Sequence, residues 1–204
     1  MNQVEQVVMK NFNKTLNCKI CNKKGVIIFK KNYDDHNLIK FFETYYGIKK
    51  YKFLKNRLKH VSYSLLKCEN CKFIWQKNSP KEKLSFDLYD KIIDKNESLI
   101  KSKKKFLLRK HKNKCEIDFV INQFQSSQIN FLDFGAGWGH WLNSGENRKY
   151  YPYALEMSKY RQKYISKLGI DIIDYKNLGK YKNFFHFIRM DQVVEHVDEF
   201  RDIF

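Results

Sequence analysis

The chain has 204 residues, 43% hydrophobic and 16% aromatic, with a formal net charge of +18. That length suits one large domain or two small ones, and that apolar content excludes a globally disordered chain. The N-terminal MNQVEQVVMKNFNK lacks the apolar run of a secretory signal, and no stretch approaches the about 18 apolar residues of a membrane-spanning helix, so the cytoplasm is the default compartment.

The charge is unevenly placed. Residues 1–115 hold 29 Lys+Arg against 10 Asp+Glu, whereas residues 116–204 hold 11 against 12. Lysine dominates, with only six arginines, as AT-rich coding would produce, but coding bias should act on the whole chain. A solvated lysine-rich surface is the favoured reading, and a selected anionic partner such as nucleic acid stays open beside it.

Residues 15–31 and 61–77 read as short strands around two cysteine turns, CKIC (Cys18, Cys21) and CENC (Cys68, Cys71), with 46 residues between them. Two C-x-x-C turns supply the four thiolates of a closed tetrahedral zinc site, which holds structure and leaves no open position for catalysis. Without an export signal, metal is a better reading than disulfides or a redox pair. The lone Cys115 is expected to be a buried, inert thiol. Between the half-sites, DDHNLIKFFETYYG reads as a helix capped by Asp34 or Asp35, stopped by Gly47, with Leu38, Phe41, Phe42 and Tyr45 as its apolar side. It runs on into IKKYKFLKNRLKH, where bases and aromatics alternate. That mixture could bind a phosphate backbone with stacked bases, although a lysine-coated helix over the zinc module is the plainer alternative.

Ser79-Pro80 marks a boundary, and the pattern from Phe86 to Phe124 is helical until Ser126-Ser127 breaks it. INFLDF is then a buried strand ending at Asp133 and a glycine loop, Gly135, Gly137 and Gly139, with a helix expected from Trp138. A glycine loop at a strand's carboxyl end is where open α/β sheets bind ligands. His140 stands where a dinucleotide fingerprint needs glycine, and no G-K-[ST] of a phosphate-binding loop is present. YPYALEMS reads as a second strand ending at Glu156, 23 residues after Asp133, placed to accept hydrogen bonds from ribose hydroxyls or to cap the next helix. IDIID is a third strand ending at Asp174, and a fourth runs from about Phe184 to Met190, ahead of Glu195-His196.

LDFGAGWG resembles the first motif of class I S-adenosylmethionine-dependent methyltransferases, and VVEHV resembles the Glu-His pair that follows their fourth strand. The front half, with LLKCENCKFIWQKNSP, is similar to a methyltransferase group that carries an N-terminal zinc-binding domain and acts on sugars and other small or cell-surface metabolites. Lys72 stands there in place of a usual glycine, and His186 in place of a usual Asp. The resemblance implies S-adenosylmethionine bound by Asp133, Gly135, Gly137, Gly139, Glu156 and Asp174. Asp133 would face its ammonium, Glu156 its ribose and Asp174 its adenine. It implies His196, beside Glu195, as a catalytic base, and structural Zn²⁺ on Cys18, Cys21, Cys68 and Cys71. Gln192 stands where related quinone methyltransferases have a metal-binding acid, so no catalytic metal is expected.

The expected fold class is α/β, an incomplete Rossmann-like methyltransferase sheet of strands 1–4 preceded by a small zinc-ribbon-like domain and a helical linker. The domains are 1–79, zinc-binding with a helical insertion at about 32–60; 80–126, helical linker; and 127–204, the partial cofactor-binding domain. The family's sheet has the strand order 3-2-1-4-5-7-6. Eight residues follow His196, too few for strands 5 to 7, so a truncated chain, or one completed by another subunit, is expected. The expected acceptor is a small molecule; the alternative is an RNA-binding or RNA-methylating protein that uses the basic zinc module.

Overall fold

The computed structural model describes residues 10–196. The protein is mixed α/β and its described residues divide into two compact units, one running to Asp94 and including Glu195 and His196, the other Lys95–Val194. Among the described residues, no helix is long and apolar enough to cross a membrane.

In the first unit β1 (Phe12–Lys14) and β2 (Gly25–Asn32) are followed by helices α1 (His36–Tyr46) and α2 (Ile48–Leu58). It continues through β3 (Ser62–Cys68), β4 (Ile74–Gln76), β5 (Asn78–Pro80), α3 (Glu82–Asp87) and a π-helical turn, Leu88–Ile92. Strands β2-β3-β4 form an antiparallel sheet, and β1 pairs with β5. The β2–β3 register sets Gly25 opposite Cys68, which brings the two cysteine turns to the same end of the sheet. At Gly25 a Cβ would lie 2.2 Å from the Trp75 indole, so only glycine lets that ring close over the cysteines.

Asp35, not Asp34, caps α1, its carboxylate accepting from the Leu38 N–H at 3.2 Å, and Gly47 ends the helix at φ 83°. The apolar side of α1 differs from the expectation. Ile39, Phe42 and Tyr46 pack on buried Tyr51, Leu54 and Ile92, while Phe41 and Tyr45 are exposed. Residues 38/41/45 and 39/42/46 are neighbouring stripes with the same helical spacing. The turn at Gly47 brings α2 against the second stripe, and periodicity alone does not choose between them. The helical pattern beginning at Phe86 is also interrupted: after the π-helical turn Ile93 adopts an extended conformation (φ −77°, ψ 122°).

The second unit begins with α4 (Lys95–Ile121), followed by β6 (Ile129–Phe134), β7 (Tyr150–Leu155), α5 (Lys159–Ser166), β8 (Asp171–Ile173) and β9 (Phe187–Arg189). Its four strands are all parallel, in the order β8-β7-β6-β9. Strand β6 is central and buried along its whole length, as its apolar run requires. Ile129 and Phe131 join Ile117 and Ile121 of α4, Ile165 of α5 and Trp141 in one core.

Two elements depart from expectation. No α-helix starts at Trp138; the chain passes through turns and one 3-10 turn, Leu142–Ser144, before β7. Positive φ at Gly135, Gly137 and Gly139 (79°, 60°, 69°) forbids helix through the loop itself. The fourth strand is shorter than Phe184–Met190, because His186 leaves the ladder pattern. Its Nδ1 accepts from the Asn130 N–H at 3.1 Å while its own N–H donates to the Asn130 carbonyl at 3.0 Å.

Candidate functional site

The four cysteines Cys18, Cys21, Cys68 and Cys71 converge, with every sulfur within 4.8 Å of the others. The Cys18–Cys71 and Cys21–Cys68 sulfurs are 3.4 Å apart. A disulfide would be about 2.05 Å. A tetrahedron of Zn–S bonds of about 2.3 Å has an edge of about 3.8 Å, so the cluster matches a metal such as zinc.

The two turns are built alike. The Cys18 N–H donates to the Lys23 carbonyl and the Asn22 N–H to the Cys18 carbonyl. The Cys68 N–H donates to the Phe73 carbonyl and the Lys72 N–H to the Cys68 carbonyl, at the same sequence offsets. Both fifth residues are left-handed, Asn22 at φ 58° and Lys72 at φ 64°, a conformation that glycine takes without strain. The Lys23 amide and the Asn70 side chain lower the Cys21 thiol to about 6. The Phe73 amide favours the Cys71 thiolate, but burial and the three neighbouring thiols outweigh it and push Cys71 up to about 12. Cys115 is not buried as expected; it is exposed on α4, 3.7 Å from His111 Nε2.

In the second unit, Asp133 and Glu156 stand at the carboxyl ends of adjacent parallel strands. Asp133 pairs with Ala154, so Glu156, two residues on, shares its face of the sheet. Between them runs the glycine loop, tied to β7 by the Gly135 and Ala136 N–H groups, both donating to the Leu155 carbonyl. The Gly137 N–H donates to Glu156 Oε2 at 3.0 Å, and the Ser158 N–H to Glu156 Oε1 at 2.8 Å. Glu156 therefore joins the loop to the start of α5, where Ser158 is the N-cap. A Cβ at Gly135 would strike Val193 at 2.4 Å and one at Gly139 would meet Ile165 at 3.0 Å, but at Gly137 nothing lies within 4 Å. The middle of the loop thus presents bare backbone to open space.

No family model matches the chain, and no curated protein matches it.

Asp133 is 2% exposed and faces Arg189, its direct neighbour across the β6–β9 ladder. Arg189 Nη1 donates to both carboxylate oxygens at 3.0 and 3.3 Å, Nη2 reaches Asp191, and the guanidinium lies 4.8 Å over the Trp141 ring. Burial pushes the Asp133 carboxyl up to about 6, and Arg189 holds it from rising further. Sequence reading missed Arg189. The signal was Asp133 itself, since a carboxylate in a strand as apolar as INFLDF needs a cation.

Helix α4 fixes the loop from the other side through four side chains. Ser98 Oγ accepts from the Trp138 indole at 3.1 Å, Ser102 Oγ lies 2.9 Å from His140 Nδ1, and Glu116 accepts from the Trp141 indole at 3.2 Å. Asn113 donates to Ser144 Oγ at 3.3 Å. Burial lowers the pKa of His140, whose Nε2 is 3.2 Å from the Tyr164 hydroxyl.

Asp174 is exposed and caps the 3-10 turn that follows β8, accepting from the Lys176 N–H at 3.0 Å. Glu195 and His196 end a short exposed turn, Val194–His196, and group with the first unit, not with the body carrying Asp133 and Glu156. An open hollow of about 500 Å³ lies between α4 and β9, lined among others by Cys115, Phe119, Trp141, Phe187 and Arg189; neither Asp133 nor Glu156 lines it.

Proposed function

We propose that the chain is an S-adenosylmethionine-dependent methyltransferase of Rossmann-like type with a structural zinc module, acting on a small acceptor such as a sugar or cell-surface metabolite. One observation carries this reading. Parallel strands in the order β8-β7-β6-β9, the 3-2-1-4 order of that fold, put a left-handed glycine loop and the Glu156 carboxylate side by side at their carboxyl ends. Ligands of open α/β sheets bind where strand order reverses, here between β6 and β9.

The form of the loop supports a ligand without phosphate. Dinucleotide sites set a pyrophosphate on a helix N-terminus. Here the loop leads into turns instead, so the site lacks that anion-binding device. S-adenosylmethionine has no pyrophosphate, and its amino-acid end is a zwitterion. The Asp133–Arg189 pair offers one charge of each sign to such an end. In this reading Gly135, Gly137 and Gly139 admit the methionine portion, Glu156 takes the ribose hydroxyls in place of the Gly137 N–H, and Asp174 lies toward the adenine. The bound sulfonium supplies an activated methyl group. The protein's own contribution is positioning, worth several powers of ten in rate, and His196 beside Glu195 takes the acceptor's proton. A further strand, from another chain or segment, would pair with the outer side of β9 and complete the acceptor half.

Titration calorimetry with S-adenosylhomocysteine tests the reading. Binding that is lost in Glu156→Ala and kept in His196→Ala is the expected result. Affinity unchanged by Glu156→Ala refutes the ribose assignment, and no binding by the native chain refutes the proposal.

A further inference from the structure

We infer that the hairpin of α1 and α2, inserted between the two halves of the cysteine cluster, is a docking surface for single-stranded nucleic acid. This does not rest on the methyltransferase reading. Phe41 and Tyr45 are 54% and 70% exposed, and their rings stack on each other at 5.6 Å with 15° between planes. They are braced from behind: Phe41 against Phe42 at 5.7 Å, and Tyr45 edge-on against Tyr46 at 4.9 Å. Phe42 in turn stacks on buried Tyr51. The two rings therefore form a pre-ordered ledge, and leaving an aromatic in water forgoes about 1.5–3 kcal/mol of burial.

The same hairpin is strongly basic. Lys49, Lys52, Lys55 and Lys59 are exposed and follow one another at helical spacing on the side of α2 away from Tyr51 and Leu54. Lys40 is exposed next to Phe41. None of these five joins an ion pair among the described residues, and Glu43 is the only acid in either helix.

An aromatic ledge with unneutralised lysines beside it matches a chain of bases joined by phosphates, since bases stack on the rings and phosphates pair with ammonium groups. A second copy of the hairpin would set lysine against lysine. A bilayer would need a broader apolar face than two aromatic rings give, and Ile48 is the one exposed aliphatic residue of the hairpin.

The test uses the zinc-loaded full chain and short fluorescein-labelled oligouridylate and oligothymidylate, followed by anisotropy. Binding is expected to weaken with salt at a logarithmic slope of about −2 if three lysines engage phosphates. The Phe41→Ala/Tyr45→Ala variant should weaken it by about tenfold or more, with zinc content and circular dichroism unchanged. Lys52→Glu/Lys55→Glu should weaken it and flatten the salt slope, whereas Lys104→Glu/Lys105→Glu on α4 should leave it unchanged. Preference for one oligonucleotide assigns RNA or DNA as the source. The inference is overturned by no binding at low salt, or by binding insensitive to the aromatic variant. An equal loss in the α4 variant also overturns it, and so does aromatic-dependent binding to phosphatidylserine vesicles without oligonucleotide binding.

Discussion

Replacing Asp133 by asparagine should change how stability depends on pH. Asp133 is a 2%-exposed carboxyl whose folded pKa is raised from 3.8 to about 6. A raised carboxyl favours its protonated form in the folded state. Its stabilising contribution is therefore fully present below the unfolded pKa and is lost as pH rises through the folded one. A shift of about two units corresponds to about 3 kcal/mol, spread mostly between pH 4 and 6.5. The asparagine side chain has nothing to ionise, so the native chain should lose about 3 kcal/mol relative to the Asp133→Asn variant across that window. The assay is urea unfolding at a series of pH values in a Trp75→Phe background. Of the three indoles, this leaves Trp138 and Trp141, both in the second unit, as reporters. Taking the difference between variant and parent removes the titration of groups that do not interact with residue 133. Parallel stability profiles from pH 4 to 8 would refute the reasoning, and so would a native chain that gains on the variant as pH rises, the sign expected if the Arg189 pair outweighed burial.

Gly135→Ala should cost about 3 kcal/mol, combining left-handed strain with the Val193 clash, whereas Gly47→Ala, also at positive φ but with nothing within 4 Å, should cost about 1 kcal/mol; chemical denaturation of each separates the two terms. Thiol titration of the zinc-loaded chain should find one fast-reacting cysteine, the exposed Cys115, and all five after chelation and unfolding. Cys68→Ser should abolish stoichiometric zinc and the cooperative unfolding of the first unit, measured by metal analysis and calorimetry, because structural zinc contributes about 10–16 kcal/mol of apparent binding energy. Lys72→Gly should raise the melting temperature of the zinc-loaded chain by relieving about 1 kcal/mol of left-handed strain.

What could be read from the residues beforehand was what chemistry fixes locally. A C-x-x-C turn closes within six residues through its own backbone hydrogen bonds, so Cys18, Cys21, Cys68 and Cys71 pointed to a metal cluster regardless of the rest of the fold. The alternating glycines and the four strand patterns of the second unit were legible for the same reason. Choices made by distant partners were not. Whether Phe41 or Phe42 turns inward depends on where α2 lies. Asn130 in an apolar strand announces a partner without saying that it is His186. Arg189 meets Asp133 across a ladder joining segments 56 residues apart. The grip of Ser98, Ser102, Asn113 and Glu116 on the glycine loop needs α4 to pack first, and their spacing hides among the lysines around them.

The matched cysteine turns also set the terms on which the excursion between them can vary. A four-sulfur knot joins Cys21 to Cys68, so the intervening stretch leaves from and returns to nearly one point. Ends fastened that way make the contents interchangeable, because doubling such a loop adds only about 0.6 kcal/mol of closure entropy. The cysteine cluster thus acts as a socket, and the aromatic, basic hairpin is the attachment plugged into it.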